Sequence, residues 1–168
     1  MIGFHLGFSG DVDVDSQEAP LASTYGVNVR SDIPIVPYLV IGPFLQFGAW
    51  RPDTTPSPDR SYYVDIDLAL RARIPIHADS VNFQLWSGVP IGLTFDFLGE
   101  DVESVAGMGF GWNVGVLFGG AVHFTPRFGL FTELAWQQHK ISHAGDQVAD
   151  LDFRLAQWST NLGIVFRN

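Results

Sequence analysis

The segment Met108–Phe124, MGFGWNVGVLFGGAVHF, alternates between two kinds of side chain along its whole length. From Phe110 onward one face is mostly large and apolar, whereas the other is mostly small and carries Asn113 and His123. A period of two is that of a β-strand, because successive side chains point to opposite faces. This strand would be much longer than the usual ~5–6 residues. Its apolar face must therefore lie against something broad, either a second layer of protein or lipid.

The composition favours strands and turns in a single domain spanning residues 1–168. The chain has 18 Gly, 10 Pro, 14 Phe and 5 Trp, which suit strands and turns better than helices. It has no Cys, which excludes disulfides and thiolate metal sites. Its net charge of −9 argues against a nucleic-acid partner, since such a surface needs a basic footprint. No motif calls for a cofactor.

The same alternation recurs along the chain and predicts eight strands. They are Ile2–Asp11, Thr24–Arg30, Ile35–Trp50, Ser61–Ile74, Val81–Phe97, Met108–Phe124, Phe128–Ile141 and Leu151–Phe166. Two of them change phase, near Pro43 and near Trp158, as a β-bulge would cause. Pro37, Pro43 and Pro90 lie inside predicted strands, where a closed sheet offers no free edge, so the strand bounds there stay open.

The predicted connections alternate between short and long. Short ones are expected at 31–34, 77–80 and 125–127, and long polar ones at 13–23, 51–60, 98–107 and 142–150. In an up-and-down meander, this order gathers the short turns at one end of the sheet, the short-turn end, and the long loops at the other, the long-loop end. Acidic residues concentrate in the long loops, and most arginines lie near the short turns.

With these features the chain resembles the small eight-stranded outer-membrane β-barrels of the OmpA/OmpX type. The likeness is carried by the alternating faces, by the glycine-rich face Gly109-x-Gly111-x-Asn113-x-Gly115, and by the terminal segment Leu162–Phe166. That segment is similar to the signal that the outer-membrane assembly machinery recognises. The resemblance implies an all-β, closed, antiparallel, transmembrane barrel with a polar filled lumen, located in the bacterial outer membrane.

The resemblance also implies partners and a processing step. We expect a monomer whose partners are outer-membrane lipid, lipopolysaccharide and, through the C-terminal strand, the assembly machinery. Met1 leads directly into the first predicted strand. A signal peptide would therefore have been removed from this chain, and the sequence leaves open whether Met1 is native.

Polar residues on the inward faces would fill the lumen. The predicted network consists of Arg30, Asp65, Asp67, Arg71, Arg73, Asp96, Asn113 and Glu133. The interior of an eight-stranded barrel is only wide enough for side chains, and buried charges must pair. We expect the aspartates and arginines to pair as a plug, with a gated ion path through exchanged salt bridges as the alternative.

Two further groups lie near the ends of the strands. A loose cation site is possible in the first long loop, although the glycine and glutamate of an EF-hand are missing there and no defined metal site is predicted. Its residues would be Asp11, Asp13, Asp15 and Glu18. Aromatic residues are predicted to ring the barrel at the two membrane interfaces. They are Trp50, Tyr62, Trp112, Trp136 and Phe166.

The predicted role is structural or interactive, through four acidic external loops and without a wide pore or catalysis. One alternative is a soluble lipocalin-like barrel that turns its apolar face inward to bind a small apolar ligand. Another is a lipid-modifying enzyme or a narrow gated channel. His139, His143 and Asp146 could form a surface metal site or part of a hydrolytic pair. However, Ser142 and His143 would point oppositely on a strand, and no G-x-S-x-G or H-E-x-x-H motif is present.

Overall fold

The structure, a computed structural model, consists of β-strands joined by turns and loops. It describes residues 1–14, 17–56, 58–78, 81–99, 108–143 and 151–166. The strands are β1 (Ile2–Val14), β2 (Gln17–Pro20), β3 (Thr24–Arg30), β4 (Ile33–Val36), β5 (Leu39–Trp50), β6 (Ser61–Ala78), β7 (Val81–Phe97), β8 (Gly109–His123), β9 (Phe128–His143) and β10 (Leu151–Phe166). Within these ranges there is no helix of the length and apolarity needed to cross a membrane.

Eight of these strands form a closed antiparallel ring in chain order. The order is β1, β3, β5, β6, β7, β8, β9 and β10, and β10 returns to pair with β1. The closing register runs from Ile2 opposite Ile164 to Val14 opposite Phe153. Closure removes the exposed strand edges that an open sheet would present. The predicted fold, an eight-stranded closed meander, is confirmed.

The two short strands lengthen the wall at opposite ends. β2 folds back on the end of β1, pairing Val14 with Gln17, so Asp11 and Asp13 lie in a strand and not in a loop. At the short-turn end β4 pairs with β5. The predicted tight turn at 31–34 is therefore wrong, because a short hairpin lies between β3 and β5, with Pro37 in its turn.

The prolines inside the ring occupy places where the ladder does not need an N–H group. The carbonyl of Pro43 accepts a hydrogen bond from the Ser31 amide at 3.1 Å, between the end of β3 and the start of β4. A strand residue directs its N–H and C=O groups to the same neighbour, so the missing N–H of Pro43 faces this gap. In β7 the register with β8 stops at Gly88 and resumes at Ile91, so Pro90 has no ladder partner in β8 and pairs only with Ala69 of β6.

The predicted phase changes near Pro43 and Trp158 are wrong. β5 and β10 alternate through those positions without interruption. In β10, Phe153 and Leu155 consequently lie on the same inward face as Gln157. The interior therefore contains apolar side chains that the sequence pattern had assigned to the outside.

The register shift that the structure shows in the ring lies in β1. Gly7 pairs with Ser159 and Ser9 pairs with Trp158, which leaves Phe8 as the extra residue of a bulge. Before the bulge the odd-numbered residues point inward, and after it the even-numbered ones do. This shift turns Val12 into the interior, where it is buried.

The outer surface of the ring is apolar around its circumference. Phe4 in β1 is 70% exposed, Ile66 in β6 is 49% exposed and Phe118 in β8 is 55% exposed. Soluble monomers rarely expose a large contiguous apolar patch. The apolar faces thus point outward, which is the reverse of the lipocalin arrangement, and form a belt suited to hydrocarbon.

Candidate functional site

The middle of the barrel holds a buried polar group, here called the central layer, made of Asp65, Asp67, Thr94, Asn113 and His139. Thr94 Oγ1 donates to Asp65 Oδ1 at 2.7 Å, and His139 Nε2 lies 3.0 Å from Asp65 Oδ2. Asn113 Nδ2 donates to Asp67 Oδ1 at 2.8 Å and contacts Thr94 Oγ1 at 3.1 Å. The predicted Asp65, Asp67 and Asn113 do come together, but their partners are a histidine and a threonine. The expected aspartate–arginine plug is wrong in this respect.

Beside the central layer, the Tyr63 hydroxyl contacts side chains from three other strands. Its hydroxyl accepts hydrogen bonds from Gln46 Nε2 at 2.8 Å and Gln157 Nε2 at 3.1 Å. His5 Nε2 lies 3.4 Å from the same oxygen. Because β1, β5, β6 and β10 each supply one of these residues, the phenol ties separate parts of the wall across the lumen.

Towards the short-turn end, Arg30 and Glu133 form a buried ion pair through Arg30 Nη1 and Glu133 Oε2. The same carboxylate accepts from Trp86 Nε1 at 2.7 Å and from Asn161 Nδ2 at 3.1 Å. The Arg30 guanidinium lies over the rings of Trp86, at 5.2 Å, and Phe131, at 4.9 Å. This pair therefore has the hydrogen bonds and ring contacts that a buried charge pair requires.

The other two predicted arginines do not reach the central layer. Arg71 pairs with Asp32 through Nη2 and Oδ1. Arg73 Nε donates to the Pro37 carbonyl at 3.2 Å, at an exposed position. Arg30, Asp32 and Arg73 line a vestibule of about 660 Å³ at the short-turn end. Arg73 thus lies at the rim of the lumen and not inside the predicted network.

At the long-loop end, Asp96 is held by an indole and an imidazole. Trp50 Nε1 donates to Asp96 Oδ1 at 2.8 Å, and His143 Nε2 lies 3.2 Å from Asp96 Oδ2. Trp50 is only 3% exposed. Its prediction as an interface aromatic is therefore wrong, since the unbroken alternation of β5 directs it into the barrel.

Around this group the lumen is apolar. A buried cluster, here called the apolar cap, closes the long-loop end of the described interior. Its residues are Val12, Trp50, Tyr63, Ile141, Phe153 and Leu155. The predicted polar lumen is thus found in the middle of the barrel, where the polar layers lie, whereas apolar residues fill the interior nearer the loops.

The remaining predicted interface aromatics lie on the outer face. Tyr62, Trp112 and Phe166 are exposed, and Trp136 is half-buried. Tyr62 stacks on Phe47 with ring centroids 6.0 Å apart. These positions are compatible with the predicted rings at the two ends of the apolar belt.

The possible cation site is divided between elements. Asp13 in β1 pairs with Glu18 in β2, Asp11 lies two residues earlier in β1, and Asp15 falls outside the described residues. In the described ranges, no group of three or more His, Cys, Asp or Glu residues is placed to hold a metal ion. A cation site at these acidic residues therefore stays a prediction.

The proposed surface use of two histidines does not fit the structure. His139 and His143 are fully buried in the lumen, whereas Asp146 falls outside the described residues. Ser142 is exposed and donates to Asp152 Oδ1 at 2.6 Å. Ser142 and His143 thus lie on opposite faces of β9, and the idea of a surface histidine site is wrong.

Several residues of the interior network were not predicted from the sequence. The alternation of inward and outward positions along each strand could have indicated them. Tyr63, Trp86 and His139 each share the inward face of their strand with predicted or polar lumen residues. The glycine face of β8 makes room for one of them. A Cβ added at Gly119 would lie 2.6 Å from Trp86 Cε2.

The sequence matches no protein-family model and no curated protein. Among solved structures, the outer membrane protein OprG from Pseudomonas aeruginosa is 11% identical, with a TM-score of 0.65, and the match covers 98% of this chain and 92% of OprG. Neisserial surface protein A is 9% identical, with a TM-score of 0.45, and the match covers 96% of this chain and 94% of that protein. The chain therefore has the fold of the small eight-stranded outer-membrane β-barrels, as its resemblance to the OmpA/OmpX type predicted.

Proposed function

We propose that this protein is an integral outer-membrane β-barrel that acts at the cell surface through its long-loop end, while its closed interior serves as a rigid support. The observation that carries the proposal is the combination of an apolar belt outside and a filled lumen inside. That arrangement would be unfavourable for a soluble protein, because the large apolar side chains on the outside would be exposed to water.

The order of short and long connections along the barrel wall supports an orientation in the membrane. Short turns lie on the periplasmic side and longer loops on the external side in barrels of this class. We therefore infer that the acidic long-loop end faces the outside. The partners we propose are outer-membrane lipid, lipopolysaccharide and, through the exposed Leu162 and Phe166 of the terminal strand, the assembly machinery. We also propose that the protein works as a monomer, since the eight strands of the ring pair with one another and offer no free edge of the ring to a second copy.

The filled interior supports a role without a wide pore and without catalysis. The apolar cap, the central layer and the buried Arg30–Glu133 pair follow one another along the lumen. Eight-stranded barrels have interiors that side chains fill. Each layer joins several strands, so opening a path would require breaking contacts in all three layers.

A second candidate function is the binding of a small, partly apolar molecule at the long-loop end. One observation favours it: a cavity of about 630 Å³ lies against the apolar cap, lined by Trp50, Leu98 and Phe153 together with the polar Gln17 and Glu18. Cavities of this size, mostly apolar with a few polar groups, are typical of small-molecule sites. In this case the external end would act as a receptor and not as a channel.

Two measurements on the full chain test the proposal. Folded into detergent micelles, the protein should run at a different apparent mass on an SDS gel before and after boiling. In planar bilayers it should give no stable, wide conductance steps. A detergent-free soluble monomer would contradict the membrane location, and large persistent conductance would contradict the closed interior.

A further inference from the structure

Two cations lie side by side on the outer wall near the long-loop end. Lys140 in β9 and Arg154 in β10 are direct cross-strand partners, and both are exposed. Trp112 in β8, 48% exposed, pairs with Lys140 from the other side. Directly opposed residues have Cβ atoms about 4.5–5.5 Å apart. The three side chains therefore form one continuous patch, here called the cationic row.

Among the described residues, neither Lys140 nor Arg154 forms an ion pair. Asp13 in β1 is the cross-strand partner of Arg154 on its other side, yet no salt bridge joins the two side chains. The nearby Asp152 accepts its hydrogen bond from Ser142. Like charges placed directly opposite each other destabilise a sheet. An external anion between Lys140 and Arg154 would remove that repulsion.

The height of the row on the wall indicates where such an anion would come from. Trp136 and Trp158 are cross-strand partners four residues back along the same two strands. At about 3.4 Å per residue the cations lie roughly 14 Å beyond this tryptophan pair, measured along the strands. Aromatic residues mark the membrane interface in barrels. The cations are thus at the level of lipid headgroups and on the face that contacts lipid.

We propose that Lys140 and Arg154 bind a phosphate group of an outer-leaflet lipid headgroup, with the Trp112 ring packed against the same lipid. The proposal rests on the outer-membrane location proposed above, where the phosphorylated lipid is lipopolysaccharide. Arginine can bind phosphate through two parallel N–H groups, and lysine binds it as a point charge. Both cations are exposed on the outer wall, which favours an anion held in place by its own lipid chains over a free one.

The test uses the full chain folded in neutral maltoside micelles, titrated with bisphosphorylated lipid A. The readout is the midpoint temperature at which the folded gel band converts to the unfolded one. Wild-type protein should show a rise in the midpoint. The double variant Lys140→Gln/Arg154→Gln should need on the order of tenfold more lipid A for the same rise, as expected for losing charge-assisted hydrogen bonds. The matched control Arg127→Gln, at an exposed turn of the short-turn end, should respond like wild type.

Further arms separate the possible sources of the effect. Dephosphorylated lipid A should not distinguish wild type from the double variant. An equal response of wild type and the double variant to bisphosphorylated lipid A would overturn the proposal. An equal rise with inorganic phosphate at the same concentration would overturn the lipid as the source.

Folding of the variants is controlled independently. Without lipid, the glutamine variant should be at least as stable as wild type, because the like-charge contact is gone. If it does not fold, the single variants Lys140→Gln and Arg154→Gln supply the test: a weakened response to lipid A supports the site and an unchanged response contradicts it. Absence of any heat-modifiable band in wild type would instead contradict the membrane barrel itself, so the two failures are distinguishable.

Discussion

The indole nitrogen of Trp50 donates a hydrogen bond to the carboxylate of Asp96 at 2.8 Å, inside the barrel and against the apolar cap. This contact joins β5 to β7, two strands that are not neighbours in the ring. It combines burial of a large apolar ring with satisfaction of a buried acidic group. Interior contacts of this kind fix the shape of the barrel beneath the long loops.

Replacing Trp50 with Phe should weaken the barrel measurably. The change removes the donor and leaves Asp96 Oδ1 without that partner, which costs about 1–3 kcal/mol for a buried acceptor. The free energy of unfolding in micelles, measured by denaturant titration, provides the check. Trp112→Phe on the outer wall is the matched control and should change stability by less than about 1 kcal/mol. Equal losses in the two variants would contradict the inward position of Trp50.

Breaking the Arg30–Glu133 pair should cost more stability than Trp50→Phe does, although the substitution alters fewer atoms. Glu133→Gln keeps the shape but leaves the Arg30 charge buried without its counter-charge, and breaking a buried pair costs about 3–5 kcal/mol. Arg73→Gln, at the exposed rim, should cost little. Both variants can be compared by the same unfolding titration. A stability of Glu133→Gln within error of wild type would show that this ion pair does not hold the interior together.

Two adjacent glycines of β8 should differ in their tolerance of a methyl group. At Gly119 a Cβ would meet the rigid Trp86 ring at 2.6 Å, whereas at Gly120 it would meet the flexible end of Leu85 at 3.0 Å. Overpacking a filled interior costs about 1–3 kcal/mol. Gly119→Ala should therefore destabilise the barrel clearly more than Gly120→Ala does in the same titration. The reverse order would contradict the inward position of Trp86.

Much of the wall could be predicted from the sequence because alternation and turn residues agree there. The predicted bounds of Thr24–Arg30, Val81–Phe97 and Leu151–Phe166 match β3, β7 and β10. Clear periodicity flanked by polar connections determines such strands. The chain order of the ring follows from short connections between successive strands.

The apolar cap could not be predicted, for a physical reason. In a membrane barrel an apolar side chain is stable both against lipid and in a dry interior, so hydrophobicity alone does not determine the facing of Phe153 and Leu155. Phe153 and Leu155 point inward because β10 alternates without a break, which places them on the same face as the polar Gln157 and Asn161. The partners of His139 could not be predicted either, since they depend on the register and stagger between strands.

The barrel presents its apolar belt to lipid and keeps its other aromatic residues inside, and tryptophan quenching by brominated lipid tests this arrangement most directly. Single-tryptophan variants, with the other indoles replaced by Phe, would be folded into vesicles of dibrominated phosphatidylcholine. Emission from Trp158, on the outer wall, should be strongly quenched, and emission from Trp50 and Trp86, in the lumen, should be largely retained. Strong quenching of Trp50 and Trp86 with a protected Trp158 would contradict this arrangement.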